Sequence, residues 1–156
     1  MQKLSSAKIL VVDDNPSNVL LLEKILSNAS YEAVQSTTDP LAVAGLHQRE
    51  KFDLILLDIQ MPKLDGFGVM RCLKELQIED YLPILVLTAQ NDSETRSRAL
   101  EQGAKDFVTK PFEVDEVLSR VANMLEVRLL YNQKRDQNEV LEEMVRYRTQ
   151  KLRDTN

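Results

Sequence analysis

The sequence predicts an α/β fold: a doubly wound, five-stranded parallel sheet with an extended C-terminal helix. Short apolar runs alternate with amphipathic helical segments up to residue 110, and the connections between them are short. This alternation is typical of parallel sheets with helices on both faces. Beyond Phe112 the chain contains neither glycine nor proline. A single helix can therefore run from Glu113 to about Arg153.

Five apolar runs predict the strands, and the four amphipathic segments between them predict the helices. Pro16 and Pro40 fall in the first turns of two helices, where a missing N–H group does no harm. Asp39 can cap the second of these helices, and Gly103 stands where the fourth helix needs a left-handed residue to end. The predicted strands are 8–13, 31–36, 53–58, 83–88 and 105–109, and the predicted helices are 16–29, 39–50, 67–78 and 93–102.

The length and composition are those of a globular protein. The 156 residues suffice for one ordinary domain with an appendage, and 43% of them are hydrophobic and 29% charged. No apolar stretch approaches the roughly 20 residues that span a bilayer, and the first residues lack an apolar signal core. Cys72 is the only cysteine, which excludes an internal disulfide and suits a reducing compartment. We expect a cytoplasmic protein that does not bind a membrane.

The net charge of −5 is unevenly distributed. Residues 128–156 carry seven basic and five acidic side chains, a net charge of +2, so residues 1–127, with thirteen basic and twenty acidic side chains, carry −7. In the C-terminal segment, charges of both signs are interspersed, as on a solvated helix. An acidic globular part argues against direct binding to nucleic acid.

Acidic residues and a lysine stand at the ends of predicted strands. Asp13 and Asp14 close the first strand, Asp58 ends the third, and Lys110 follows the fifth. The carboxyl ends of parallel strands meet at one edge of the sheet, which is where open α/β sheets bind ligands. Three carboxylates repel one another unless a divalent cation lies between them, and oxygen ligands favour Mg²⁺ or Mn²⁺.

The same edge suits a phosphoryl group. Mg²⁺ commonly takes phosphate oxygens, which leaves Asp58 available as a nucleophile toward a phosphoryl donor. Lys110 supplies a fixed positive charge for the phosphoryl oxygens, and Thr88, at the end of the fourth strand, offers a hydroxyl. The following Pro111 restricts Lys110 to extended backbone, and the bond between them can adopt the cis form.

Several short motifs accompany these residues: Met61-Pro62, Asp65-Gly66, Thr88-Ala89 and Lys110-Pro111-Phe112. Together with Asp13-Asp14 and Asp58, they resemble the receiver domain of two-component response regulators over roughly residues 7–125. The resemblance implies a CheY-like or flavodoxin-like parallel sheet in the order 2-1-3-4-5. It also implies that Asp58 accepts phosphate from a sensor histidine kinase or a phosphotransfer protein.

The resemblance further implies a role for individual residues at the metal. Asp14 and Asp58 would ligate Mg²⁺ through their carboxylates, and Asp13 would act mainly through a metal-bound water. Gln60 would contribute its backbone carbonyl. The side chains of Gln60 and Gln90 occupy two variable positions that tune hydrolysis of the acyl phosphate in this family.

A second implication of the resemblance is a conformational switch. Thr88 and Phe107 match the family's switch pair, in which the hydroxyl moves toward the phosphate and the aromatic ring turns inward. Tyrosine is frequent in the family at the position of Phe107. Phenylalanine keeps the ring but lacks the hydroxyl, so the outward-facing ring cannot offer a hydrogen bond to a partner.

The chain divides into two predicted parts, a receiver domain over residues 1–125 and a helical linker or coiled coil over residues 126–156. Residues 141–152 resemble the helical linkers that precede signalling output domains, especially HD-GYP-type cyclic-di-GMP phosphodiesterases and those of some hybrid kinases. We therefore expect an output domain beyond residue 156, with cyclic-di-GMP turnover as its activity.

Apolar residues in the linker recur at heptad spacing. One core position receives Met124, Tyr131, Asn138, Val145 and Leu152, and the other receives Val127, Lys134, Leu141 and Arg148. Close to half of these residues are polar, and an Asn at a core position is a register device of coiled-coil dimers. Two interpretations stay open: a coiled coil that joins two copies into a homodimer, and a solitary solvated helix.

The sequence favours a phosphoacceptor signalling domain rather than an enzyme, with self-catalysed phosphoryl transfer and autodephosphorylation as its only chemistry. A phosphatase of the haloacid dehalogenase type also uses a strand-end aspartate and Mg²⁺, but it needs an aspartate two residues later, where this chain has Gln60. The remaining alternative is a phosphorylation-independent, receiver-like dimerisation module. The full acidic set and Lys110 argue against it.

Overall fold

A five-stranded parallel sheet forms the centre of the molecule, in a computed structural model that describes residues 3–76, 82–89 and 92–154. Its strand order is β2-β1-β3-β4-β5, which confirms the predicted fold class. The strands are β1 (Lys8–Val12), β2 (Ala33–Thr37), β3 (Leu54–Asp58), β4 (Ile84–Ala89) and β5 (Asp106–Lys110).

The helices alternate with the strands as predicted. Asn15, Asp39, Asp65 and Asp92 cap four helical segments by accepting a hydrogen bond from a backbone N–H of the first turn. Gly103 follows the fourth helix with a φ of 112°, a conformation that favours glycine. The helices are α1 (Pro16–Asn28), α2 (Val43–Glu50), α3 (Gly66–Glu75), α4 (Ser93–Glu101) and α5 (Val114–Asp154), with 3-10 turns at Leu4–Ser6 and Pro40–Ala42.

Two of the predicted helices differ from the observed ones by more than one residue at an end. The segment predicted as a helix over 39–50 begins with the 3-10 turn Pro40–Ala42, and the α-helix starts only at Val43. Helix α3 ends at Glu75, and residues 77–78 of its predicted range lie outside the described residues.

The second strand begins two residues later than predicted, at Ala33. The backbone N–H of Tyr31 donates to the carbonyl of Leu26 at 3.1 Å, and that of Glu32 donates to the carbonyl of Ser5 at 3.0 Å. Because both groups are bonded outside the sheet, the ladder with β1 starts at Ala33.

Two apolar cores lie on opposite faces of the sheet. Every residue of β3 is buried, and its side chains alternate between the cores. Ile55 and Leu57 belong to the core beneath α2, α3 and α4, whereas Leu54 and Leu56 belong to the core beneath α1 and α5. Because both faces of this strand are buried, its sequence is a continuous apolar run up to Asp58.

Helix α5 stays attached to the sheet past residue 125 through a buried polar cluster. Asp53, directly before β3, accepts hydrogen bonds from Arg128 Nε at 3.3 Å, from Asn132 Nδ2 at 3.1 Å and from the backbone N–H of Lys8 at 3.0 Å. The Asp53, Arg128 and Asn132 side chains are all buried. We call these three residues the Asp53 cluster. The division of the chain at residue 125 stays a prediction, and the Asp53 cluster extends the packing of α5 to Asn132.

Beyond the Asp53 cluster, α5 continues as one helix to Asp154, which confirms the extended C-terminal helix. Met124 lies in the core beneath α1 and α5, so the prediction that it belongs to an intermolecular heptad core is wrong. The later residues Val127, Leu141 and Val145 are exposed. Neither α5 nor any other helix in the described ranges combines the length and apolarity needed to cross a membrane.

Candidate functional site

The ladder between β1 and β3 places two of the predicted carboxylates side by side. Val12 pairs with Leu57, so the residues that follow, Asp13 and Asp58, lie at the same level of the sheet edge. Asp13 and Asp58 are buried and Asp14 is exposed. One carboxylate oxygen from each of these three residues lies within 4.8 Å of the other two. The structure therefore brings together the three acidic residues predicted as metal ligands.

Lys110 reaches the same place from the end of β5. Its Nζ lies 3.2 Å from Asp58 Oδ1 and 3.3 Å from Asp13 Oδ2. The peptide bond from Lys110 to Pro111 is cis. An ammonium group between two carboxylates offsets part of their mutual repulsion, and it stands where a phosphoryl group on Asp58 would need a positive charge.

The Asp58 carboxyl is difficult to ionise without a further cation. Burial, the largest cause, acts together with the Asp13 charge to raise the pKa of Asp58 to about 7, against the lowering effects of Lys110 and of the Gln60 N–H. That N–H donates to Asp58 Oδ1 at 3.3 Å. A divalent cation bound among these carboxylates would favour their ionised form, because Lys110 alone does not balance their negative charge. Since all of the ligand atoms are oxygens, the site fits Mg²⁺.

Thr88 contributes an unsatisfied hydroxyl at this edge. It follows Leu87, which pairs with Asp58 in the ladder between β3 and β4. Its Oγ1 is buried and has no hydrogen-bond partner within the part of the chain that the structure describes. Since buried hydroxyls are normally hydrogen-bonded, this atom suits a ligand oxygen bound beside Asp58.

Two arginines that the sequence analysis missed lie close to the ring of Phe107. The guanidinium of Arg96, on α4, lies 5.1 Å from the ring centroid, and that of Arg120, on α5, lies 5.7 Å from it. Arg120 also forms ion pairs with Asp106 and with Glu116. Phe107 itself is half-buried and packs against the core beneath α2, α3 and α4. No sequence pattern signals this arrangement, because the arginines come from separate helices.

The close approach of α3 to the site requires a glycine. A Cβ atom on Gly66 would lie 2.8 Å from the backbone oxygen of Asp58 and 2.9 Å from the Cα of Ile59. The Gly66 N–H donates to the Ile59 carbonyl at 2.9 Å. The Asp65-Gly66 motif therefore allows the start of α3 to pack against the loop that follows Asp58.

The structure gives the positions of the site residues, and the chemical roles predicted for them stay predictions. The Gln60 side chain is exposed and the Gln60 backbone N–H donates to Asp58 Oδ1, and metal binding by the Gln60 backbone carbonyl stays a prediction. Gln90, the second variable position, lies outside the described residues.

Residues 9–122 match the response regulator receiver domain family. The chain belongs to this family. Receiver domains receive their signal from histidine kinases or phosphotransfer proteins and bind Mg²⁺ at an acidic site, which in this receiver corresponds to the cluster of Asp13, Asp14 and Asp58.

Curated relatives support the assignment over the same part of the receiver. The chain is 39% identical over 130 residues to the response regulator PleD of Caulobacter vibrioides, an alignment that covers 83% of this chain and 28% of PleD. It is 41% identical over 118 residues to PhoP, the alkaline phosphatase synthesis transcriptional regulatory protein of Bacillus subtilis, which covers 76% of this chain and 45% of PhoP. The chain thus spans less than half the length of either relative.

Solved receivers have the same fold. The receiver domain of a sensor histidine kinase from Pseudomonas aeruginosa, crystallised with a magnesium ion coordinated in the active site cleft, is 29% identical with a TM-score of 0.70, over 78% of this chain and 98% of that one. The chemotaxis protein CheY4 of Vibrio cholerae is 28% identical with a TM-score of 0.70, over 76% of this chain and 98% of that one.

Proposed function

We propose that this receiver accepts a phosphoryl group on Asp58, in a Mg²⁺-dependent reaction, from a sensor histidine kinase or a phosphotransfer protein. An Asp58 carboxylate oxygen attacks phosphorus, the bond from phosphorus to the donor histidine nitrogen breaks, and an acyl phosphate forms. The observation that carries this proposal is the convergence of three carboxylates and Lys110 at one sheet edge. The protein is then a phosphoacceptor rather than an enzyme acting on a separate substrate.

Each residue of the site has a distinct task. Asp14 and Asp58 would hold Mg²⁺ directly, together with the Gln60 carbonyl, and Asp13 would hold it through a water. Mn²⁺ satisfies the same oxygen set. The metal supplies charge neutralisation for the transferred phosphoryl oxygens.

Two further groups of the chain would stabilise the transferred phosphoryl group. Lys110 Nζ, already 3.2 Å from Asp58, would bind a phosphoryl oxygen. Thr88 would turn its unsatisfied hydroxyl toward another. Lys110 stands in place before the reaction, whereas the Thr88 hydroxyl has to move toward the phosphoryl group.

The acyl phosphate would be read out through the face formed by α4, β5 and α5. Thr88 and Phe107 lie on the neighbouring strands β4 and β5, and Val86 pairs with Phe107. Movement of the Thr88 hydroxyl leaves room for the Phe107 ring to turn inward, which changes its contacts with Arg96 and Arg120.

Helix α5 would carry the change to an output domain beyond residue 156. A linker similar to those before HD-GYP-type phosphodiesterases makes cyclic-di-GMP turnover the proposed output. Exposed apolar residues along α5 support a homodimer formed through this helix. Since the phosphoryl donor is a kinase supplied with ATP, we place the receiver in the cytoplasm.

Intact-protein mass spectrometry with acetyl phosphate tests the proposal. With Mg²⁺, the protein should gain the mass of one phosphoryl group, and the gain should disappear with a chelator or in Asp58→Asn. Asp115→Asn, which removes an exposed carboxylate at the start of α5, is the matched control and should be phosphorylated normally. If the parent protein gains no mass with either acetyl phosphate or a kinase, the protein is instead a phosphorylation-independent dimerisation module.

A further inference from the structure

The guanidinium groups of Arg96 and Arg120 both lie within cation–π distance of the Phe107 ring. Arg96 extends from α4 and its guanidinium carbon lies 5.1 Å from the ring centroid, and the corresponding distance for Arg120, on α5, is 5.7 Å. A cation within about 6 Å of a ring centroid is attracted by the ring quadrupole. The ring of Phe107, on β5, is therefore a common contact of the helices that precede and follow this strand.

Arg120 is held in this position by carboxylates from two elements. Its Nη1 forms an ion pair with Asp106 Oδ2 at 2.5 Å, and its Nε lies 3.4 Å from Glu116 Oε1, one helical turn earlier on α5. The other carboxylate oxygen of Asp106 accepts a hydrogen bond from the backbone N–H of Phe107 at 2.8 Å. Because Arg120 is bonded both to its own helix and to the residue before Phe107, it approaches the ring from a fixed position.

The Phe107 ring has a second place to go. It is half-buried and already packs in part against the core beneath α2, α3 and α4. An inward turn buries more of the ring and moves it away from both guanidinium groups. Since each cation–π contact that is lost costs free energy, both contacts favour the half-buried ring over the inward one.

We propose that Arg96 and Arg120 restrain the Phe107 ring in its half-buried position and so oppose the change that phosphorylation of Asp58 produces. We call these two residues the arginine restraint. The inference rests on the proposed function and specifies what sets the balance between its two states. A ligand that binds only the activated state binds more weakly as the population of that state falls. Loss of either arginine should therefore make the receiver easier to activate.

A merely structural role for the two arginines predicts a different result. Removing a positive charge from the neighbourhood of an acidic site weakens the binding of an anion there. Loss of a partly exposed ion pair lowers the free energy of unfolding without shifting the balance between two folded states. The direction in which anion binding at Asp58 changes therefore separates a restraint from a structural role.

Binding of beryllofluoride at saturating Mg²⁺ measures this balance, with the bound fluoride followed by fluorine NMR. Arg96→Met and Arg120→Met each remove the guanidinium group and keep a long apolar side chain. Each variant should bind the mimic about two- to fivefold more tightly than the parent. Arg49→Met is the matched control, since Arg49 is an exposed arginine of α2 that pairs with Glu50, and its loss should not tighten binding.

Phe107→Leu tests whether the ring carries the effect. In this background the two arginines have no ring to hold, so Arg96→Met and Arg120→Met should no longer tighten binding of beryllofluoride. Tightening that persists without the ring overturns the arginine restraint. Binding that is unchanged or weaker in both methionine variants of the parent overturns it as well.

The ring can also be observed without any ligand, which separates this inference from the phosphoacceptor proposal. In protein with isotope-labelled phenylalanine, relaxation dispersion should show the minor, inward population of the Phe107 ring rising about two- to fivefold in Arg120→Met. A parent protein that binds no beryllofluoride defeats the phosphoacceptor proposal. The ring population then decides on the arginine restraint alone, and an unchanged population overturns it.

Discussion

Asp58 combines two demands that conflict in the metal-free protein. It is buried beside Asp13, which disfavours its charged form, yet it has to be a carboxylate to attack phosphorus. Lys110 resolves only part of the conflict, since the pKa of Asp58 stays at about 7. A divalent cation therefore has a direct electrostatic role at this residue.

This conflict predicts a pH-dependent gain in stability for Asp58→Asn in the presence of a chelator. In the unfolded chain the carboxyl ionises near pH 4, so between about pH 4 and 7 only the unfolded form loses its proton, and folding stability falls as pH rises. Asparagine carries no such penalty. Allowing for solvent screening, we expect the variant to exceed the parent by about 2–3 kcal/mol in free energy of unfolding at pH 8.

Urea denaturation at several pH values measures this difference. The advantage of Asp58→Asn should vanish below about pH 4, where the parent carboxyl is protonated in both states, and Mg²⁺ should reduce it at pH 8 by stabilising the parent. An advantage that is absent at pH 8, or equally large at pH 4, would show that burial of an ionised Asp58 does not destabilise the protein.

Helix α5 is the element with two separate tasks. Its inner side belongs to the domain as far as the Asp53 cluster, and its outer side carries exposed apolar side chains such as Val127 and Leu141. Arg128 and Asp53 are 75 residues apart in sequence and both buried, so loss of one leaves the other charged without its partner.

Asp53→Ala is therefore expected to lower the free energy of unfolding by about 3 kcal/mol or more. Asp136→Ala is the matched control, since its ion pair with Arg135 is exposed, and it should change the same quantity by less than about 0.5 kcal/mol. Adding Arg128→Met to Asp53→Ala should restore much of the loss, because no unpaired charge then remains. Equal effects of Asp53→Ala and Asp136→Ala would contradict the proposed importance of the cluster.

Helices and strands were predictable from the sequence where a local sequence pattern is sufficient to determine them. Buried strands such as β3 show as apolar runs, and α5 shows as a segment without glycine or proline. The start of β2 was not predictable, because a bond from Glu32 to Ser5 sets it. The Asp53 cluster left a partial signal: Arg128 and Asn132 continue the spacing of Val121 and Leu125 on one helix face.

At the scale of the whole molecule, two polar clusters lie at opposite edges of one sheet. The carboxylate site is at the carboxyl ends of the strands, and the Asp53 cluster precedes β3 at the amino ends. The site residues were predictable from sequence because a parallel sheet brings its strand ends together whatever the details of packing. The arginines around Phe107 were not, since their positions depend on how α4 and α5 pack against β5.

Hydrogen exchange with and without beryllofluoride and Mg²⁺ tests most directly whether chemistry at Asp58 reaches α5. We expect the mimic of the acyl phosphate to change exchange in β5 and in α5 as far as Asn132, and to have no effect on Asp58→Asn. Protection confined to the loop after Asp58, with α5 exchanging as before, would contradict a relay through this helix.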